Sequence, residues 1–289
     1  MKQFQRILGK HTQGVHRGFL VFIALVVVLA GSVQSGVLVA PTTIILLDKT
    51  RTGRMTVQNP SNSPKEISIR FSFGIPTSDS LGNISVPLKD SVDDPNSAVG
   101  WITAFPRKVI LPAGGSQVIR FRASPPEDLP DGEYWARVVV RSEEGYTTLP
   151  PPTDDGSITT KLNMIMQTAI ALKYRKGDLT PALELNGVRV ELDSAKVSVL
   201  IDMSSKGNCS YIGILKCRLL DADNREVSQS VVQLAVYHDL VRRVNLPITG
   251  DSYKEPFQVD LSISTDGRTD IPAEEMLNGN EIKRTLIVR

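Results

Sequence analysis

Histidine, cysteine and aromatic side chains are scarce in this chain of 289 residues, and each shortage excludes a class of chemistry. There are three histidines. His11 and His16 stand in the first 35 residues, so His238 is the one imidazole left for the rest of the protein. A poly-histidine metal site is therefore excluded, and any Ser-His-Asp arrangement has a single base to draw on. The two cysteines, Cys209 and Cys217, lie in Cys-Ser-Tyr-Ile-Gly-Ile-Leu-Lys-Cys, which reads as strand. In one extended strand they stand about 26 Å apart, far beyond the reach of a disulfide, and only a turn at Gly213 would bring them together. No thiol base other than His238 is present, which argues against a cysteine nucleophile. Acidic residues are missing from residues 1–35, which carry Lys2, Arg6, Lys10 and Arg17. The remainder holds 29 basic and 31 acidic side chains. A chain so balanced lacks the concentrated positive face of an electrostatic nucleic-acid binder.

Apolar residues make up 41% and charged residues 22%, the range of ordinary globular domains. The length suits two such domains. The exception is the N-terminus, where the spaced cations precede an uncharged run, Phe19–Ala30, followed by the small residues Gly31, Ser32, Ser35 and Gly36. Twelve residues of helix span about 18 Å, short of a hydrocarbon core about 30 Å thick. The pattern is that of a secretory signal peptide over residues 1–35, with cleavage after Ser35 or after Ala30, and it implies export. An uncleaved anchor extending through Val39 is the alternative.

From residue 36 on the periodicity is almost wholly two. Arg54–Gln58, Glu66–Phe73 and Gln117–Arg122 alternate apolar with polar side chains, the mark of half-buried strands. Asn59-Pro-Ser-Asn-Ser-Pro64, Pro112-Ala-Gly-Gly115 and Pro130-Asp-Gly132 read as turns. Further strands are expected at Gly187–Leu192, Lys196–Met203, Tyr211–Leu220, Val227–Tyr237, Val241–Leu246, Phe257–Ile263 and Ile282–Val288. Short strands without helical crossovers make an all-β protein of two β-sandwich domains, expected over residues 36–172 and 173–289. The polar, proline-rich stretch from Glu143 to Lys161 interrupts the rhythm. After it comes a long apolar strand in which Leu162, Met164, Met166, Ile170 and Leu172 share one parity.

Val39-Ala-Pro-Thr-Thr-Ile-Ile-Leu-Leu-Asp48 and Met55-Thr-Val-Gln-Asn-Pro-Ser-Asn-Ser-Pro64 are followed by Phe105-Pro-Arg107 with Leu111-Pro-Ala-Gly114. Then come Gly132-Glu-Tyr-Trp135 and Gln167–Arg175. In this order and spacing the segments resemble the periplasmic chaperones of chaperone–usher pilus assembly, over residues 37–180 and more weakly to about residue 250. The resemblance implies that the two β-sandwich domains are immunoglobulin-like, and it implies donor-strand complementation, in which an edge strand of the chaperone supplies the strand that a pilin-like subunit lacks. By position it makes Leu162, Met164 and Met166 the client-binding side chains, with an exported pilin-like subunit as partner, an outer-membrane usher as a further one, and no cofactor. Members of that family place an arginine in the first strand and a lysine in the long strand. Here Thr43 and Ala169 stand at the matching positions, so the chain departs from the pattern, with Lys173 and Arg175 in the interdomain cleft, or Lys49 and Arg51 after the first strand, as candidate substitutes.

Two rival readings stand beside this one. A secreted structural or adhesive protein would use the strand from Thr160 to Leu172 as fully paired core rather than as an edge. An enzyme would need its carboxylate pairs, Asp154-Asp155, Asp221 with Asp223 and Glu274-Glu275, to meet a nucleophile or base, and the sequence offers none beside them. Trp101 and Trp135 fit sandwich cores better than exposed platforms.

Overall fold

The computed structural model describes residues 36–145, 164–250 and 253–288. The expected signal peptide, Thr160, Leu162 and Asp154-Asp155 lie outside them. The first sandwich uses β1 (Leu38–Ala40), β2 (Thr43–Leu47), β3 (Thr52–Gln58) and β4 (Lys65–Ser72), then a short hairpin of β5 (Thr77–Ser78) and β6 (Ile84–Ser85). It continues through β7 (Ile102–Phe105), β8 (Lys108–Leu111), β9 (Ser116–Ala123), β10 (Gly132–Glu144) and β11 (Met166–Lys176). One sheet runs β1-β3-β9-β7 and the other β2-β11-β10-β4-β8. Alternation does the folding: Met55 and Val57 of β3, Ile119 and Phe121 of β9, Ile67 and Ile69 of β4 and Val138 and Val140 of β10 all point into one core.

The Asn59-Pro turn is fixed by a buried side chain. The Asn59 amide donates to the carbonyls of Ser63 (2.8 Å) and Pro112 (3.0 Å), while its oxygen accepts from Ser61 N–H (3.1 Å). The loop after β3 is thus tied to the Pro-Ala-Gly-Gly turn before β9, where Gly114 adopts φ 68°, a conformation costly for any residue with a Cβ.

The second sandwich comprises β12 (Leu183–Leu192), β13 (Lys196–Ser205), β14 (Tyr211–Leu220), β15 (Glu226–Val236), β16 (Asp239–Pro247), β17 (Phe257–Ser264) and β18 (Ile282–Val288). Its sheets are β12-β13-β16 and β15-β14-β17-β18, enclosing a separate core that includes Val199, Ile201, Leu215, Val259 and Leu261. Each of the seven overlaps a strand expected from the sequence, although β12 begins at Leu183 rather than Gly187 and β16 at Asp239 rather than Val241. Gly213 sits inside β14 with no turn, and a Cβ there would meet the Ser264 carbonyl at 2.3 Å. Cys217 lies in that strand and Cys209 just before it; both are free and buried, and burial pushes each thiol up to about 12.

Leu172 is not where the first sandwich ends. β11 continues antiparallel to β10 as far as Lys176, opposite Gly132, and the chain then turns at Gly177 with φ 67°. Both sandwiches belong to one compact unit, Val37–Arg289. They meet through an apolar cluster of Phe73, Ile75, Trp135 and Tyr237. They are also clasped by the β5–β6 hairpin, which reaches across to β16. Val241 N–H donates to Ser78 Oγ (2.7 Å), Arg243 Nε donates to the Leu81 carbonyl (2.7 Å), and Ile84 packs on the second core.

Candidate functional site

β11 is flanked differently along its length. On one side β10 pairs with all of it, from Ser142↔Met166 to Gly132↔Lys176. On the other side lies β2, parallel, and it reaches only from Ala171↔Thr43 to Arg175↔Leu47. The reason is that the first strand of the chain is divided between sheets. β1 pairs with β3 in the opposite layer, and the chain crosses over between Ala40 and Thr43. Among the described residues, Gln167–Ile170 therefore have a strand on one side alone, an open edge whose main-chain groups can accept a further strand.

Side chains divide the same way. Ile170, Leu172 and Tyr174 face the first core and are buried. Met166 and Met164 share their parity but project past its end, at 37% and 48% exposure, with Ile165 beside them at 47%. Interrupted by Thr168, this row thus leaves the core and ends in apolar side chains along the open edge. Two of the three expected client-binding side chains, Met164 and Met166, are placed in this way; Leu162 lies outside the described residues.

Lys173 and Arg175 are at the junction between the sandwiches, but neither is solvent-facing. Both are buried on the carboxylate of Glu133. Glu133 Oε1 accepts from Lys173 Nζ (2.9 Å), Trp135 Nε1 (2.9 Å) and the Ser210 hydroxyl, and Oε2 accepts from Arg175 Nε (2.9 Å). Lys173 also bonds Ser210 and lies 4.6 Å from the centre of the Tyr237 ring, and Arg175 donates to the Glu275 carbonyl. Burial alone would raise the Glu133 carboxyl; the two cations overcome it and hold it at about 2. The cluster takes Glu133, Lys173 and Arg175 from one sandwich and Ser210, Tyr237 and Glu275 from the other, so its cations bridge the junction. Thr43 stands opposite Ala171, at the inner limit of the open edge, with Ala169 two residues away.

Two of the three carboxylate pairs fall among the described residues, and both stand in turns. Asp221 is buried in the turn after β14, where it accepts the N–H groups of Asp223 and Arg225 and pairs with the Arg225 guanidinium (2.6 Å). Glu274 and Glu275 occupy a short 3-10 turn. His238 is half-exposed, 3.3 Å from Asp94 and edge-on to Trp135. Trp135 belongs to the junction, and Trp101 packs edge-on against Tyr174 with ring centres 4.9 Å apart.

No family model matches the chain, and no curated protein matches it. Solved structures do. The chain is similar to the YadV chaperone at 14% identity and a TM-score of 0.43, covering 87% of this chain and 99% of that one. It is similar to the SafB chaperone in complex with the SafA pilin of Salmonella enterica at 13% identity and a TM-score of 0.43, covering 89% and 99%. A third match is the CsuC–CsuE chaperone–tip adhesion subunit pre-assembly complex of Acinetobacter baumannii, at 12% identity and a TM-score of 0.44, covering 86% and 98%. At these identities the likeness is one of fold, and the role of the chain has to be argued from its own residues.

Proposed function

We propose that the protein is a chaperone of the pilus-assembly kind, exported to the periplasm, that holds a pilin-like subunit by lending it the edge of β11. The observation that carries this reading is the half-covered strand. Main-chain groups of Gln167–Ile170 face no described strand on the side that β2 leaves, and the exposed thioethers of Met164 and Met166 lie in line with core positions of the same strand. A client strand laid in the line of β2 would pair with those main-chain groups, and a client groove would take up the methionines. Burying Met164, Met166 and Leu162 at about 1.5–3 kcal/mol each supplies roughly 5–9 kcal/mol of gross driving force, part of it offset by ordering and association. Methionine suits a site serving several subunits, because an unbranched thioether adapts to differently shaped grooves.

With Lys173 and Arg175 spent on Glu133, the described cations of the junction do not anchor a client carboxylate. Capture then rests on main-chain pairing and apolar fit. We assign no catalytic role. An outer-membrane usher is a further partner consistent with this reading. The structural or adhesive alternative requires the β11 edge to be paired within the chain itself, and no described strand pairs with Gln167–Ile170 there.

Co-purification from the exporting cell tests the proposal. The wild-type protein should bring a subunit with it and Met164→Asp should not, because a carboxylate carried into an apolar groove has no compensating partner. Equal recovery of the subunit by a Met164→Asp protein of unchanged melting temperature would refute the assignment.

A further inference from the structure

A second surface of the first sandwich carries a chemistry that client capture does not use. The outward positions of the β1-β3-β9-β7 sheet include Arg54 on β3, Arg120 and Arg122 on β9 and Phe105 on β7, all exposed. Register places them in rows. Phe105 stands opposite Arg120, and Arg120 opposite Arg54, while Arg122 lies in the next row between Thr103 and Thr52. The four strands contain no aspartate or glutamate, and among the described residues none of the three guanidinium groups has a carboxylate partner. Like charges directly opposite one another weaken a sheet, so the row is a local cost with no local return. Phe105 is 73% exposed, more than any other large apolar side chain among the described residues. A surface hollow runs over these same residues.

We propose that this face docks an acidic, extended protein segment carrying an apolar anchor. Planar guanidinium forks match carboxylates two bonds at a time, and an exposed aromatic ring beside arginine is the composition of interface centres rather than of free surface. Two carboxylates on alternate residues of an extended segment would meet Arg120 and Arg122, themselves alternate residues of one strand, while an apolar side chain covers Phe105. Three cations on a flat sheet suit such a segment better than an anionic bilayer, whose protein contacts use clusters of roughly four to eight. The chain outside its first 35 residues has a slight acidic excess, which sets this patch apart from the rest of the surface.

The test is fluorescence anisotropy of the full chain with a labelled peptide of alternating Glu and Ser around one Leu, beside its Gln counterpart and vesicles of phosphatidylglycerol. The Glu peptide should bind, the Gln peptide should not, and raised salt should weaken binding. Arg54→Gln combined with Arg120→Gln should weaken it at least about tenfold with an unchanged melting temperature, and Phe105→Ser should weaken it without altering the salt dependence. Equal binding by the double variant, absence of binding by the wild type, or binding of the vesicles in preference to the peptide would each overturn the proposal. None of these outcomes bears on Met164 and client capture, so the two readings fail separately.

Discussion

The two halves of β11 share one alternation and meet opposite surroundings. From Ala171 to Arg175 the strand lies between β10 and β2, sends Leu172 and Tyr174 into the core, and sends Lys173 and Arg175 to a buried carboxylate. Toward its start, Met166, and Met164 just ahead of it, keep the same parity across Thr168, yet the core has ended and β2 does not reach. Hydrophobic patterning says which side chains share a face. Whether that face is covered depends on where a neighbouring strand begins, here Thr43. The inner half is paired on both sides and packed, while the outer half is paired on one side alone among the described residues.

The largest break in this comparison should come from the inner half. Glu133→Gln leaves Lys173 and Arg175 buried with no anion, and removal of one partner from such a cluster costs about 3–5 kcal/mol. Thermal or denaturant unfolding should show a loss of that size. The comparable cut at the surface pair Arg70–Asp90, whose members are 44% and 84% exposed, should cost under about 1 kcal/mol.

Acid probes the same cluster without mutation. The Glu133 carboxyl is depressed from the usual 4.5 to about 2 in the folded protein, so the unfolded chain takes up a proton first as pH falls. The stability that this group contributes is in full force above 4.5 and is lost as pH falls from there toward 2. Melting temperature followed across that window should fall more steeply for wild type than for Glu133→Gln, which has no such proton to bind. Parallel curves would mean that Glu133 is not the group responsible.

A smaller effect is expected at the clasp. Gly82 has φ 77°, and a Cβ there would come within 2.5 Å of the Arg243 nitrogen. Gly82→Ala should therefore lift the β5–β6 hairpin off β16 at a cost of about 1–3 kcal/mol. Amide exchange should quicken at Val241, whose N–H is held by Ser78, before it changes at core positions such as Val199. Exchange that rises uniformly would show that the hairpin is part of the cooperative unit and not a separable clasp.

Most of the fold is legible in the sequence because two-residue periodicity is an intrinsic property of a half-buried strand. Tyr211–Leu220 and Ile282–Val288 begin and end at the residues expected from the sequence. Half of the candidate site is legible for the same reason, since Met164 and Met166 continue the parity of Ile170 and Leu172. The fate of Lys173 and Arg175 is not, because it depends on pairing. Glu133 stands opposite Arg175 only once β10 and β11 are set antiparallel, and Ser210 and Tyr237 arrive from the other sandwich. A local signal did exist: Glu133 shares its parity with Trp135, a tryptophan that fits a sandwich core, and a carboxylate buried beside it has to find cations. The β5–β6 hairpin has strands of two residues each, too short for any period to register.

The smallest stability effect belongs to the outer half, and it separates the two faces of the comparison most sharply. Met164 and Ile170 share a parity, but Met164 is 48% exposed and Ile170 is 4%. Aspartate at 170 would place a carboxylate in the core with no cation or donor arranged for it, and the first sandwich should lose several kcal/mol of a marginal total. Aspartate at 164 meets water in the free protein, so its effect on unfolding should stay within about 0.5 kcal/mol of zero. Unfolding curves of the two variants can be compared with no client present. A Met164→Asp protein destabilised as severely as Ile170→Asp would mean that position 164 is covered by the chain itself, and a strand already covered has no edge to lend.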